Sequence, residues 1–503
     1  MKNRKNREGA ISFFRSLLSL ASSLSLSLAL ALTLSLALLL ACGPTPENVQ
    51  KSDALPPIYP DYADVTIPVN IAPLNFLVRG AEAVSVKVGS LTVTRRGEEV
   101  IFDEREWRQL LEQNQEITVS VTALNNGRWT KYKSFSWHVV QDKLDPWLTY
   151  RLIEPDYEIW NNIQLKQRCI ENFDEALLTD YRLQENRCMN CHTPASQRAD
   201  LSMLYVRGQG GGAILNENGQ LRKLNIKTDD MASGSVYFAF SPSGRYITFS
   251  TNVIIPAFHS KKEKRLEVFD SESDVYVADL KENRIIRSPL LCDTTVLETF
   301  PTFSPDGRYI YYCASPLPRL PGELQKLQYA LVRVPFDERT GRIGERADTI
   351  YGGSSAGVGK HSVCHPRISP DGSRLLFTVQ DYGTFPIWHR ESDLRMLDMN
   401  NGAIDMLRIV NSPMSDTYHS WSSNSRWFVF ASKRDDGLYG KPYFCYVDRR
   451  GRAHKPFCLP QQSPTFYDTF LKSFNAPELV RQRLPFDAHD VEKAMLKEAE
   501  PFK

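Results

Sequence analysis

Apolar and polar side chains alternate with a period of two through much of this chain, as in Val84-Ser85-Val86-Lys87-Val88, Ile117-Thr118-Val119-Ser120-Val121 and Tyr246-Ile247-Thr248-Phe249. Successive side chains of a strand point to opposite faces, so this alternation predicts half-buried β-strands. From 59 to 141 the strands are short, Asn125-Asn126-Gly127 marks a turn, and Asp103 to Leu111 reads as a short helix. The segment is expected to be a small β-sandwich of immunoglobulin or fibronectin type. Residues 142–203 break the alternation: Ile159, Ile163, Ile170, Phe173 and Leu177 fall at helical spacing across two segments, which predicts a helical insert.

Beyond 203 the pattern becomes repetitive. Phe240-Ser241-Pro242-Ser243-Gly244-Arg245-Tyr246-Ile247, Phe303-Ser304-Pro305-Asp306-Gly307-Arg308-Tyr309-Ile310 and Ile368-Ser369-Pro370-Asp371-Gly372-Ser373-Arg374-Leu375 share one form, and Trp421-Ser422-Ser423-Asn424-Ser425-Arg426-Trp427-Phe428 is a degenerate copy. Proline presets φ, Asp or Ser bonds its own backbone, and glycine takes the left-handed position, so each block forces a hairpin. Ala213-Ile214-Leu215 and Leu221-Arg222-Lys223-Leu224 flank Asn216-Glu217-Asn218-Gly219 as a fifth unit. The serine anchors recur after 63, 65 and 53 residues, which points to propeller blades with long loops. Five or six blades fit residues 204–460 at the usual ~40–50 residues per blade, leaving 461–503 as a C-terminal tail.

The first 42 residues differ in kind. Lys2, Arg4, Lys5, Arg7 and Arg15 precede an uncharged Leu/Ala/Ser stretch from Leu17 to Leu40, and Leu39-Leu40-Ala41-Cys42-Gly43 resembles the lipobox of bacterial lipoproteins. Residues 1–42 are therefore expected to be a lipoprotein signal peptide, cleaved before an acylated Cys42. The apolar run exceeds the ~7–15 residues of a usual signal core and could span a bilayer, so an uncleaved anchor helix is the alternative. Residues 43–58, with Pro44, Pro46, Pro56 and Pro57, read as a semi-extended linker. Everything after it is expected in the cell envelope, lipid-anchored, at the outer membrane facing the periplasm, because Gly43 is not the aspartate that favours inner-membrane retention. A net charge of +2, with Lys and Arg dispersed among acidic neighbours, argues against a nucleic-acid partner.

Candidate chemistry is concentrated in Cys188-Met189-Asn190-Cys191-His192. Two thiols flanking two residues can add across the vinyl groups of a haem, and the adjacent imidazole becomes an axial iron ligand. The chance of such a match is about 0.003 in a chain of this composition. A thioredoxin-like pair would need a βαβ setting, and a structural zinc site would need a second ligand pair. The expectation is one covalent haem c per chain, held by Cys188 and Cys191 with His192 on the iron. Met203 is the leading sixth ligand, with a core role as its alternative; His259 is second, and His361 and His365 are further alternatives. Cys169, Cys292, Cys313, Cys364, Cys445 and Cys458 allow up to three disulfides, although their place inside apolar runs favours buried thiols.

The Ser-Pro-Asp-Gly-Arg-Tyr-Ile blocks resemble the repeats of TolB-like β-propellers. Together with Asp145-Pro146-Trp147-Leu148-Thr149-Tyr150-Arg151-Leu152-Ile153, the Cys188 to His192 motif and His419-Ser420-Trp421, they resemble a Bacteroidetes family of envelope lipoproteins, often labelled cytochrome c biosynthesis proteins, over most of 55–480. The resemblance implies the architecture and the haem-binding positions, and no activity. The fold expected is mainly β: an N-terminal β-sandwich, a short helical haem c insert over 142–203, and a TolB-like propeller of five or six blades.

Three further motifs read as decoys. Gly353-Ser354-Ser355-Ala356-Gly357 matches a nucleophile elbow but lacks the strand, helix and hydrolase domain such a serine needs. Gly208-Gln209-Gly210-Gly211-Gly212-Ala213 precedes a hairpin rather than a helix, so its glycines are expected to allow close backbone approach to haem or to the propeller wall. Asp270, Glu272 and Asp274 read as a polar turn rather than a calcium loop. Two functions follow: an envelope mono-haem cytochrome passing electrons to a redox partner docked on the propeller, or a non-enzymatic protein-binding scaffold in which the haem is structural or a redox sensor.

Overall fold

The computed structural model describes residues 44–155, 162–185, 187–259, 266–352 and 361–503. Cys42, Ile159 and the Gly353 to Gly357 motif lie outside the described residues. The chain is mainly β and forms a β-propeller with an N-terminal sandwich.

The sandwich sets a seven-stranded sheet against a three-stranded one. A helix, Glu104–Gln113, starts where Asp103 caps it by accepting from the backbone N–H groups of Arg105 and Glu106. It buries Trp107, whose ring lies 5.4 Å from that of Trp137 in a T-shaped pair. The expected linker 43–58 is largely part of this domain: Gln50–Lys51 pairs with the strand Arg128–Lys131, and Ile58–Tyr59 pairs with Phe76–Val78.

Among the described residues six four- or five-stranded sheets follow, and their innermost strands touch one another in a closed ring. Numbered in order, the inner strands are Ser473–Val480 (blade 1), Met189–Pro194 (blade 2), Ser235–Phe240 (blade 3), Val296–Phe303 (blade 4), Ser362–Ile368 (blade 5) and Asp416–Trp421 (blade 6). The repeat blocks are the turns from inner to second strand. In each clear copy glycine takes positive φ: +77° at Gly244, +69° at Gly307 and +73° at Gly372. In the degenerate copy Ser425 takes that place at +60°. That copy is specialised for docking, because Ser423 donates from its backbone N and its Oγ to Asp145, both at 2.7 Å, and so ties the sandwich to blade 6.

Three expectations are corrected. Residues 142–203 are not a helical insert: Trp147–Ile153, Gln164–Cys169 and Glu175–Asp180 are the outer three strands of blade 1, and Met189–Pro194 opens blade 2. The alternation there is disguised by buried polar residues. Gln167 exchanges two hydrogen bonds with the backbone of Leu484, and Arg168 donates to Gln461 and to the Pro460 carbonyl. The segment 461–503 is not a tail appended to the propeller, since Ser473–Val480 pairs with Trp147–Ile153 and closes the ring. Helix Ala488–Met495 packs on blades 1 and 2, and Glu500–Pro501 pairs with the outer strand of blade 2. The propeller therefore begins at Trp147 and draws on the chain's last residues, and it has six blades.

The Asp270, Glu272 and Asp274 group lies within the long strand Leu266–Asp279, not on a turn. The glycine run does form a tight connection in blade 2; a Cβ on Gly211 would stand 2.3 Å from the Val206 carbonyl oxygen. Cys169, Cys191, Cys292, Cys313, Cys364, Cys445 and Cys458 are free thiols.

Candidate functional site on the propeller axis

Every inner strand carries one non-glycine residue in the left-handed region: Cys191, Tyr237, Phe300, His365, Tyr418 and Ala476, with φ between 44° and 55°. Each coincides with a slip in pairing to the second strand, so each is a β-bulge. Such φ values are uncommon for non-glycine residues, and a bulge re-aims a side chain out of the alternating pattern. Here they aim at the axis. The Phe300 ring lies 4.0 Å from His365 and 4.5 Å from Tyr237, and His365 lies 4.6 Å from Tyr418. Tyr237 of blade 3 also meets His365 of blade 5 at 5.8 Å, across blade 4, which only axial side chains can do. The channel is plugged at mid-height. A sequence signal for the plug exists: Tyr237, Phe300, His365 and Tyr418 each stand four residues before a repeat serine.

The plug leaves a vestibule at each end. One, lined by Arg151, Arg207, Tyr237, Trp388 and Tyr418 among others, is the smaller, at about 30 Å3. The other, ringed by the repeat turns and containing Arg367, Glu478 and Arg481, is a 340 Å3 cavity, within the ~300–1,000 Å3 usual for small-molecule sites.

The Cys188 to His192 motif straddles the plug. Cys188 packs against the apolar cluster that holds Ile153 and Ile163, and Cys191 against the one that holds Met203, Tyr205 and Phe238. The Cys191 sulfur accepts a hydrogen bond from the Tyr237 backbone N–H at 3.1 Å, and burial raises its pKa, which keeps it a thiol. His192 is buried, with neither ring nitrogen hydrogen-bonded. Burial, helped by the charge of Arg151, lowers its pKa to about 4. Met203 pairs with Thr193 in register and shares its face, whereas His192, the next residue, faces the other way. Met203 is thus a core side chain of blades 2 and 3. His259 is bound elsewhere, 3.2 Å from the Glu267 carboxylate, which also contacts His389 at 3.2 Å. Among the described residues no three His, Cys, Asp or Glu side chains are placed to hold a metal ion.

A covalent haem needs both sulfurs and the imidazole on one side of one macrocycle. The two thiols here pack against different apolar clusters, and of the two vestibules one is lined by Cys188 alone of the three motif ligands and the other by none of them. The motif residues, as placed, do not fit haem c.

Three buried histidines share one electrostatic state. Burial lowers the pKa of His192 to about 4, that of His419 to about 3, and that of His365 well below 6.5, with nearby arginine charge adding to each. Because the folded values lie below the unfolded ~6.5, their contribution to stability is complete above pH 6.5 and is lost as pH falls below it. Urea denaturation at pH 7.5, 6 and 5 should show stability dropping by up to about 1.4 kcal/mol per histidine per pH unit in that window. A flat profile would mean the rings are solvated.

No protein-family model matches this chain, and no curated protein matches it. Solved structures similar in arrangement include a protein of Bacteroides fragilis described as a 6-phosphogluconolactonase, at 12% identity over 64% of this chain and 97% of that one, TM-score 0.32. A puromycin-hydrolyzing peptidase of Mycobacterium tuberculosis matches at 11% identity over 79% of this chain, TM-score 0.35, and this chain spans 57% of that one. An oligogalacturonate lyase matches at 10% identity over 69% of this chain and 86% of that one, TM-score 0.28. Likenesses of this size carry no argument about activity, and the blade assignment rests on this chain's own strand pairing.

Proposed function

We propose that this chain is a binding protein of the bacterial envelope, tethered through a lipid on Cys42, which holds a ligand or partner at the repeat-turn end of a plugged propeller. The observation that carries this reading is the plug: six bulged inner strands close the axis and leave a blind cavity of 340 Å3 at that end. A through-channel or a buried reaction chamber would need the axis open. The Cys191 thiol, raised in pKa by burial and bonded to Tyr237, serves here as packing.

The rival reading is the mono-haem electron carrier. In its favour stand the motif itself and the unbonded ring of His192; against it stands the packing of the two sulfurs in different apolar clusters. A pyridine haemochrome spectrum of protein matured in a cytochrome c-competent host decides between them. The binding reading expects no covalent haem, and an unchanged spectrum in Cys188→Ala plus Cys191→Ala. One haem per chain, abolished by that double substitution, would overturn it in favour of electron transfer.

A further inference from the structure

We propose that the cavity at the repeat-turn end binds a carboxylate carried on a small apolar body, gripped by Arg481 and Arg367. This rests on the binding reading above and names the ligand class. The cavity's cations are under-committed. Arg481 makes no ion pair within 4.0 Å among the described residues: its guanidinium reaches the Ser196 carbonyl at 3.4 Å, and its charge acts on the Asp200 carboxylate only from farther off. Arg367 faces Glu478 at 3.7 Å, too far for a hydrogen bond, with both side chains a quarter exposed or less. Neither guanidinium is held in a close ion pair, which leaves both able to take a further anion, and the planar guanidinium matches a carboxylate in a two-point grip. The wall around them is mixed: Phe240, Phe303, Ile368 and prolines of the repeat turns alternate with Thr193, Gln197 and Thr302. A free phosphate would leave the apolar part of that wall unused, whereas an apolar acid uses it. Ser196 and Gln197, which also line the cavity, hold φ of 49° and 58°, a strained pair of the kind that gathers at ligand sites.

Glu478 makes the site pH-sensitive. Burial raises its pKa to about 7, and Arg367 is the only charged group among the described residues that opposes the shift. Around it, Arg481 lies three residues along the chain, just past the end of its strand, Thr149 of blade 1 bonds its backbone carbonyl, and His365 and His419, beside Arg367, are neutral. Below pH 7 the neutral acid releases Arg367 for an incoming anion; above it, Glu478 competes for the same guanidinium. Anion binding should therefore take up a proton near pH 7.

The test is calorimetric titration of the full chain, without its signal peptide, with benzoate, with acetyl-Gly-Gly-Phe, and with the amides of both. Acids should bind at least tenfold tighter than amides, and about tenfold tighter at pH 6 than at pH 8. Arg481→Gln should weaken acid binding at least tenfold, and Glu478→Gln should keep binding while flattening its pH dependence. Binding of benzoate and peptide acid alike points to free acids, and binding of the peptide acid alone points to chain termini; both support the carboxylate site. Equal binding of acids and amides, or no binding by any probe at millimolar concentration, overturns it. Such a failure leaves the haem-free binding reading standing, because the haemochrome spectrum tests that reading independently.

Discussion

Removal of residues 471–503 should abolish cooperative unfolding of the propeller. The deletion takes away the inner strand of blade 1, which pairs with Trp147–Ile153 and contacts the inner strands of blades 2 and 6. Phe474, Leu479 and Val480 are almost wholly buried on that strand. At roughly 1.5–3 kcal/mol per buried large apolar side chain, their loss is about 5–9 kcal/mol, comparable with the whole stability of many domains, about 5–15 kcal/mol. Near-UV circular dichroism and a thermal melt report the outcome. A truncated chain that melts cooperatively within a few degrees of the full one would show that blade 1 does not need its closing strand.

The second large effect is expected at the plug, and it should change sign with the residue replaced. Phe300 is 1% exposed and lies between His365 and Tyr237. Phe300→Ala should cost about 3–5 kcal/mol, the usual range for emptying an aromatic site, and alanine would still hold the left-handed φ. His365 is buried with both ring nitrogens unbonded. His365→Phe removes two unsatisfied polar atoms at similar volume and should be neutral or stabilising. Urea midpoints of the two variants provide the comparison. A loss below about 1 kcal/mol for Phe300→Ala would mean that the axis is solvated and the plug loose.

What was legible in the sequence was local. Ser304-Pro305-Asp306-Gly307 announces its hairpin because the turn is built from its own side chains: Ser304 Oγ donates to Asp306 at 2.6 Å and accepts from the Tyr309 N–H at 2.9 Å. The closing strand was illegible for the opposite reason. Ser473-Phe474-Asn475-Ala476-Pro477-Glu478-Leu479-Val480 holds a proline, a bulge and buried polar residues in place of clean alternation, and its partner lies near the start of the propeller. The helical reading of 142–203 failed at Gln167 and Arg168, whose buried polarity is satisfied only by residues 460 to 484.

The Cys188 to His192 motif shows a different limit. Its spacing is visible in the sequence, but which apolar cluster each sulfur joins depends on the fold around the bulge at Cys191, and spacing alone does not report it. The axial cavity was missed because Arg367, Glu478 and Arg481 come from blades 5 and 1 and from the segment first read as a tail. The plug could have been found by aligning the repeats on their serines, since an aromatic or histidine recurs at one fixed offset.

The pairing of Ile153 with Ser473 sets an order of events as well as a shape. A chain made from its N-terminus completes the sandwich, the outer strands of blade 1 and then blades 3 to 6 while the first ladder still lacks its partner. During that interval the edge of Trp147–Ile153 and the flank of blade 6 are open, and an open edge is a template for pairing with the wrong strand. Contacts this distant in sequence also slow folding. Crowding, heat or a shortage of chaperones should therefore select against this protein during its synthesis, before the ring has locked, more strongly than after.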